Sequence, residues 1–98
     1  MADQHISVVI EYCTQCQWML RAAWLAQELL TTFAGNMDEV TLRPRTGGVF
    51  KVFVGPTTVW DRTVDGGFPS AKELKNRIRN CALPELALGE HVDERTRR

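Results

Sequence analysis

The sequence predicts an α/β fold with elements in the order β-α-β-β-β-α and a mixed four-stranded sheet. Three observations carry it. Residues 6–12, ISVVIEY, alternate with period two. A long helical pattern free of Gly and Pro follows. GVFKVFV at 48–54 and TTVW at 57–60 then flank the turn signal Gly55-Pro56.

In the first strand Ile6, Val8, Ile10 and Tyr12 form an apolar face, and Ser7, Val9 and Glu11 a mixed one. The helical pattern runs from about Gln15 to Ala34, where Gly35-Asn36 supplies a stop. Gln17, Arg21, Glu28 and Thr31 make a polar stripe, and the other faces are broadly apolar, as expected of a helix lying on a sheet. Trp24 falls within the polar stripe. It reads either as a ring lying across its neighbours or as an exposed contact for a partner. EVTLR at 39–43 is a short strand closed by Pro44. About 20 helical residues separate it from the first strand, so the two pair in parallel through a right-handed crossover. The hairpin adds antiparallel strands, and 61–68 reads as a loop. Ser70 and Glu73 form a capping box that opens a helix with Ala71, Leu74, Ile78 and Cys81 on its apolar stripe, ended by Leu83-Pro84. The expected organisation is one domain over 1–84 and a charged tail over 85–98.

A chain of 98 residues suits one modest core. Twelve basic and twelve acidic residues balance, which removes the electrostatic case for nucleic acid or an anionic membrane surface. No apolar run reaches the roughly 20 residues of a membrane span. The N-terminal MADQHISVVIEY carries an acid where a signal peptide has basic residues, so a cytoplasmic protein is expected. Three cysteines, Cys13, Cys16 and Cys81, do not suit a secreted disulfide scaffold.

Chemistry is concentrated in Cys13-Thr14-Gln15-Cys16, at the join of the first strand and the first helix. On a first helical turn, spacing i, i+3 brings the two Cα atoms to roughly 5–6 Å, within disulfide range. Helix-terminal amides stabilise a thiolate, which lowers a cysteine pKa from about 8.5 to roughly 3.5–7.5 in such motifs. Cys13, nearest the expected cap, receives most of this effect, and Cys16 is its geometric partner. A zinc site needs two further ligands. Cys81, His91 and His5 are the candidates, but Cys81 reads as a small buried hydrophobe and the histidines lie in the tail and before the first strand. No metal is expected. Two inert core cysteines are the remaining alternative.

The strand and CxxC in VVIEYCTQCQW, then LAQELL, GGVFKVFVG, VW and GGFPSAKELKNRIR, resemble the selenoprotein W-like (Rdx) family over residues 6–81. The resemblance implies a thioredoxin-like fold with fewer elements than thioredoxin. Selenocysteine-bearing members hold that residue at the position of Cys16. This implies that Cys16 reacts with peroxide or glutathione while Cys13 resolves, with glutathione as a co-substrate and no bound cofactor. The helix-terminus argument instead gives Cys13 as first attacker. A selenol, more acidic than a thiol, needs less help from a helix, so with sulfur at both positions Cys13 is the favoured nucleophile.

Thr14 and Gln15 are candidate substrate contacts. Gly47 and Gly48 precede the central hairpin, where the resemblance would imply a thioredoxin-type cis-proline; they read either as ordinary turn residues or as substrate contacts that leave backbone open to a peptide or glutathione. Phe68, in Gly66-Gly67-Phe68-Pro69, is either an aromatic anchor at the helix entry or part of a loop bordering the thiols. Trp18 and Trp24 are candidate partner contacts. The function expected is a thiol–disulfide oxidoreductase acting on protein thiols or glutathione. The alternative is a binding module whose surface depends on the redox state of the pair.

Overall fold

The computed structural model describes residues 5–86. Strand β1 (Ile6–Cys13) is followed by helix α1 (Met19–Thr32), strand β2 (Met37–Arg45), the hairpin β3 (Phe50–Val54) and β4 (Thr57–Asp61), the single turn α2 (Arg62–Asp65), and helix α3 (Ala71–Ala82). The sheet order is β2-β1-β3-β4. β1 is parallel to β2 and antiparallel to β3, and β4 is antiparallel to β3. The expected architecture and sheet are therefore present, with α2 in addition.

One face of the sheet is buried and the other partly open, which is why β1 alternates. Val8, Ile10 and Tyr12 join Phe50, Val52 and Val54 in the core, while Ser7, Val9, Glu11, Lys51 and Phe53 are half-buried. Both long helices lie on the buried face. α1 packs over β1 and β2 through Ala22, Leu25 and Leu29, α3 over β3 and β4 through Leu74 and Ile78, and the helices touch each other.

Several boundaries differ from the sequence reading. The first helix begins at Met19, not Gln15. Gln17 has φ 63°, a left-handed conformation that interrupts an α-helix. Thr14 is held to the sheet instead: its backbone N–H and its hydroxyl both donate to the Arg45 carbonyl, at 2.9 and 3.1 Å. β2 does not stop at Pro44 but continues to Arg45, opposite Cys13. An edge strand tolerates a proline because only one of its sides needs amide donors. The strand beginning at Gly48 in the sequence reading starts at Phe50, after Gly47 and Gly48 with φ near +77°.

α2 falls within the expected loop. The Asp61 carboxylate caps it by accepting the Thr63 amide at 3.1 Å, and Gly66 ends it in the left-handed region. At α3 the expected cap is present, with Ser70 Oγ accepting the Glu73 amide at 3.0 Å. Cys81 is exposed rather than buried, a correction to the apolar-stripe reading. After Ile78 the packed side drifts to the i+4 position, Ala82, and then to Leu83. Leu86 also packs against the core, and residues 87–98 of the expected tail, with His91, lie outside the described residues.

Glu28, read as part of the polar stripe of α1, is buried and faces α3. Its Oε1 lies 2.9 Å from Lys75 Nζ, with the two side chains only 7% and 2% exposed.

Candidate redox site at the end of the central strand

Cys13 closes β1 and is fully buried; Cys16, in the turn that follows, is half-buried. Their Cα atoms are 5.3 Å apart and their sulfurs are joined as a disulfide. The separation expected for a helical turn is reached by a different route. Thr14 is pinned to Arg45, the Gln17 amide donates to the Thr14 carbonyl at 3.0 Å, and the Trp18 amide reaches the Cys13 carbonyl at 3.4 Å. Thr14 and Gln15 stand exposed at the tip.

This geometry moves the helix start away from Cys13. Trp18 is the N-cap of α1, its side chain makes no capping bond, and no acid occupies the first turn. The first-turn amides are thus not engaged by a side-chain cap, and Cys16 is closer in sequence to them than Cys13. The expectation that Cys13 sits at the helix cap is corrected accordingly.

Trp18, two residues after Cys16 and bonded through its amide to the Cys13 carbonyl, belongs to an aromatic cluster. The Phe68 ring stands edge-on to Trp18, with centroids 4.8 Å apart, and to Phe50 at 5.1 Å. Two guanidinium groups lie over it, Arg21 4.1 Å from the centre of Phe68 and Arg62 5.0 Å from the centre of Trp18. Arg62 Nε donates to the Gly48 carbonyl at 3.2 Å. A Cβ on Gly48 would stand 3.5 Å from the same guanidinium, and its φ of 76° disfavours any other residue. Gly48, Phe68 and Trp18, far apart in sequence, are therefore linked through Arg62 and the ring pair.

The loop carrying Phe68 is braced from behind. Trp60 Nε1 donates to the Gly67 carbonyl at 2.8 Å, and Arg77 stacks on Trp60 at 4.3 Å. Arg77 also donates to the Val59 carbonyl and the Asp65 carboxylate, each at 3.0 Å. The Asp61 amide and then Arg77 hold the Asp65 carboxyl below the usual aspartate range, against an opposing effect of desolvation.

Other candidates lie elsewhere. Gly47 adjoins the cluster only through Gly48, with open space where its Cβ would be. Trp24 is 48% exposed on the outer face of α1 beside Leu20, which is 76% exposed. His5 pairs with Asp38 at 3.1 Å, and among the described residues no three His, Cys, Asp or Glu side chains converge as a metal site. No helix among them is long and apolar enough to cross a membrane.

Sequence reasoning did not single out Arg21, Arg45 or Arg62. Arg21 carried a signal, one helical turn after Trp18 on the polar stripe. Arg62 carried none, because its place depends on the hairpin and α2.

A model of the Rdx family matches residues 7–80. A crystal structure of a protein from Bordetella parapertussis is 57% identical with a TM-score of 0.76, covering 79% of this chain and 98% of that one. The selenoprotein W-related protein from Vibrio cholerae is 48% identical with a TM-score of 0.78, covering 81% and 99%. Migration and invasion enhancer 1 of Mus musculus is 27% identical over 84 residues, 86% of this chain and 71% of that protein.

Proposed function

This chain belongs to the Rdx family, and from that premise we propose that it is a thiol–disulfide oxidoreductase in which Cys16 attacks and Cys13 resolves. The observation that carries the reading is the disulfide itself, made by one fully buried and one half-buried cysteine beside an uncapped helix start. An attacking sulfur must be reached by substrate in line with the bond to be broken. A resolving sulfur needs to reach only its neighbour, and a buried one held within a turn does so at high effective concentration.

In the reductive direction the Cys16 thiolate attacks a substrate disulfide. A bond forms between Cys16 and one substrate sulfur, the substrate S–S bond breaks, and the departing thiolate takes a proton. Cys13 then loses its proton and attacks Cys16, forming the Cys13–Cys16 bond and releasing the second substrate thiol. Two electrons pass to the substrate, and two external thiols restore the dithiol by the reverse steps. Protein thiols and glutathione are the proposed partners, in the cytoplasm, where thiols are kept reduced.

Trapping tests the assignment. Cys13→Ser should accumulate a mixed disulfide at Cys16 with a glutathione or protein disulfide, visible by intact mass. Cys16→Ser should not accumulate one at Cys13. The opposite pattern reverses the roles, and no adduct in either variant removes the exchange reading.

The exposed Leu20 and Trp24 favour a second reading, a surface that binds a protein according to the redox state of the pair. Its mark would be a partner retained by one redox state with negligible disulfide turnover.

A further inference from the structure

Several arginine and lysine side chains of the described residues have carboxylate partners. Arg43 and Arg45 share Glu11, Arg77 holds Asp65, Lys51 faces Asp61, and Lys75 is paired with Glu28. Arg79, Arg21 and Arg62 depart from this pattern; Arg79 donates to the Leu86 carbonyl at 3.4 Å, while Arg21 and Arg62 stand at the ring cluster. Among the described residues neither Arg21 nor Arg62 has a carboxylate partner, and both lie over the Trp18–Phe68 ring pair, whose Trp18 follows Cys16 by two residues and bonds through its amide to the Cys13 carbonyl. Stacking fixes a guanidinium plane while leaving N–H groups at its edge directed outward. Arg62 has one donor engaged at Gly48 and retains the others. The loop residues between the sulfurs, Thr14 and Gln15, are neutral, so they do not offset the two charges.

We propose that Arg21 and Arg62 are specificity residues that receive carboxylates of the reacting thiol or disulfide, so the preferred co-substrate carries acidic groups close to its sulfur. This rests on the exchange reading above and adds the chemical class it acts on. Substrate sulfur bonded to Cys16 brings its flanking groups against Trp18 and Phe68. The guanidinium edges there donate to a carboxylate in the paired geometry that arginine favours. The overall neutrality of the chain makes this a local preference rather than long-range attraction.

The test follows reduction of the Cys13–Cys16 disulfide by matched thiols, with rates expressed per thiolate. One pair is the acetylated, amidated tripeptides aspartyl-cysteinyl-aspartate and asparaginyl-cysteinyl-asparagine; the other is glutathione and its diester. At low salt the acidic member of at least one pair should react about fivefold to tenfold faster, and the preference should shrink at high salt. In R21Q/R62Q the ratio should fall to about one. A preference confined to glutathione puts the carboxylates on a small thiol. One confined to the aspartyl peptide puts them on a protein segment.

Equal rates for both members of both pairs in the wild-type protein overturn the proposal, whether or not the double variant folds. A preference that survives R21Q/R62Q overturns it as well. If none of the four thiols reduces the disulfide, the exchange reading fails, and this proposal with it.

Discussion

Lys75 and Arg62 are both cations in contact with the packed body of the protein, yet they are used in opposite ways. Lys75 points inward between the two long helices and meets Glu28 at 2.9 Å, both side chains almost wholly buried. Arg62 stacks on Trp18 at the edge of the core and has no carboxylate partner among the described residues. A buried charge must be matched inside the fold, because desolvation makes an unmatched one very costly. A charge at the rim is hydrated, so it can await an anion from outside. The inner pair joins α1 to α3, whereas the outer arginines stand over the Trp18 and Phe68 rings.

The largest effect should come from breaking the inner pair. Lys75→Met leaves the Glu28 carboxylate without its ammonium and should cost about 3–5 kcal/mol, measured by urea denaturation. The double variant K75M/E28L should recover most of the loss, since an apolar pair of similar volume removes both charges. Thiol exchange per folded molecule should be little altered in that variant.

Breaking the rim should cost less stability but more function. Phe68→Ala removes the ring against which Trp18, Phe50 and Arg21 all rest. Stability should fall by about 2 kcal/mol, and Trp18 fluorescence should shift toward that of an exposed indole. Preference among thiols of different charge should weaken with it.

Gly48→Ala should be milder, about 1 kcal/mol, from forcing a side chain into φ 76°. The added methyl meets the far end of the flexible Arg62 side chain, which can shift. A loss several times larger would mean that Arg62 is held more rigidly than its exposure suggests.

The smallest effect is a pH dependence in the brace behind Phe68. The Asp65 carboxyl is depressed in the folded state, so it binds its proton at lower pH than in the unfolded chain, where the value is about 3.9. Its stabilisation is complete above the unfolded value and is lost as pH falls through the folded one. The stability difference between wild type and Asp65→Asn should therefore be constant near neutrality and narrow below about pH 4. Melting curves of both proteins across that range measure it.

The type and order of the main elements were legible because each has a local cause. Alternation in ISVVIEY, the absence of Gly and Pro across α1, the Gly55-Pro56 turn and the Ser70 cap all act over a few residues. The start of α1 was not legible. Local pattern continues the helix back to Gln15, but Thr14 is bonded to Arg45, 31 residues away, and Gln17 turns left-handed. Glu28 misled for a similar reason, since a carboxylate on a polar stripe looks solvated until a lysine from another helix arrives. Cys81 followed the stripe on paper, whereas the packed side of α3 had already drifted past it.

Sequence by itself therefore determined the alternating strands, the helical stretches and a pair of thiols three positions apart, since these depend on neighbours along the chain. Tertiary structure decided that Cys13 is sealed and Cys16 accessible, that Trp18, Phe68 and Gly48 meet, and that two arginines stand over their rings. Those outcomes depend on which distant backbone groups find each other when the sheet closes, and no short-range pattern encodes that.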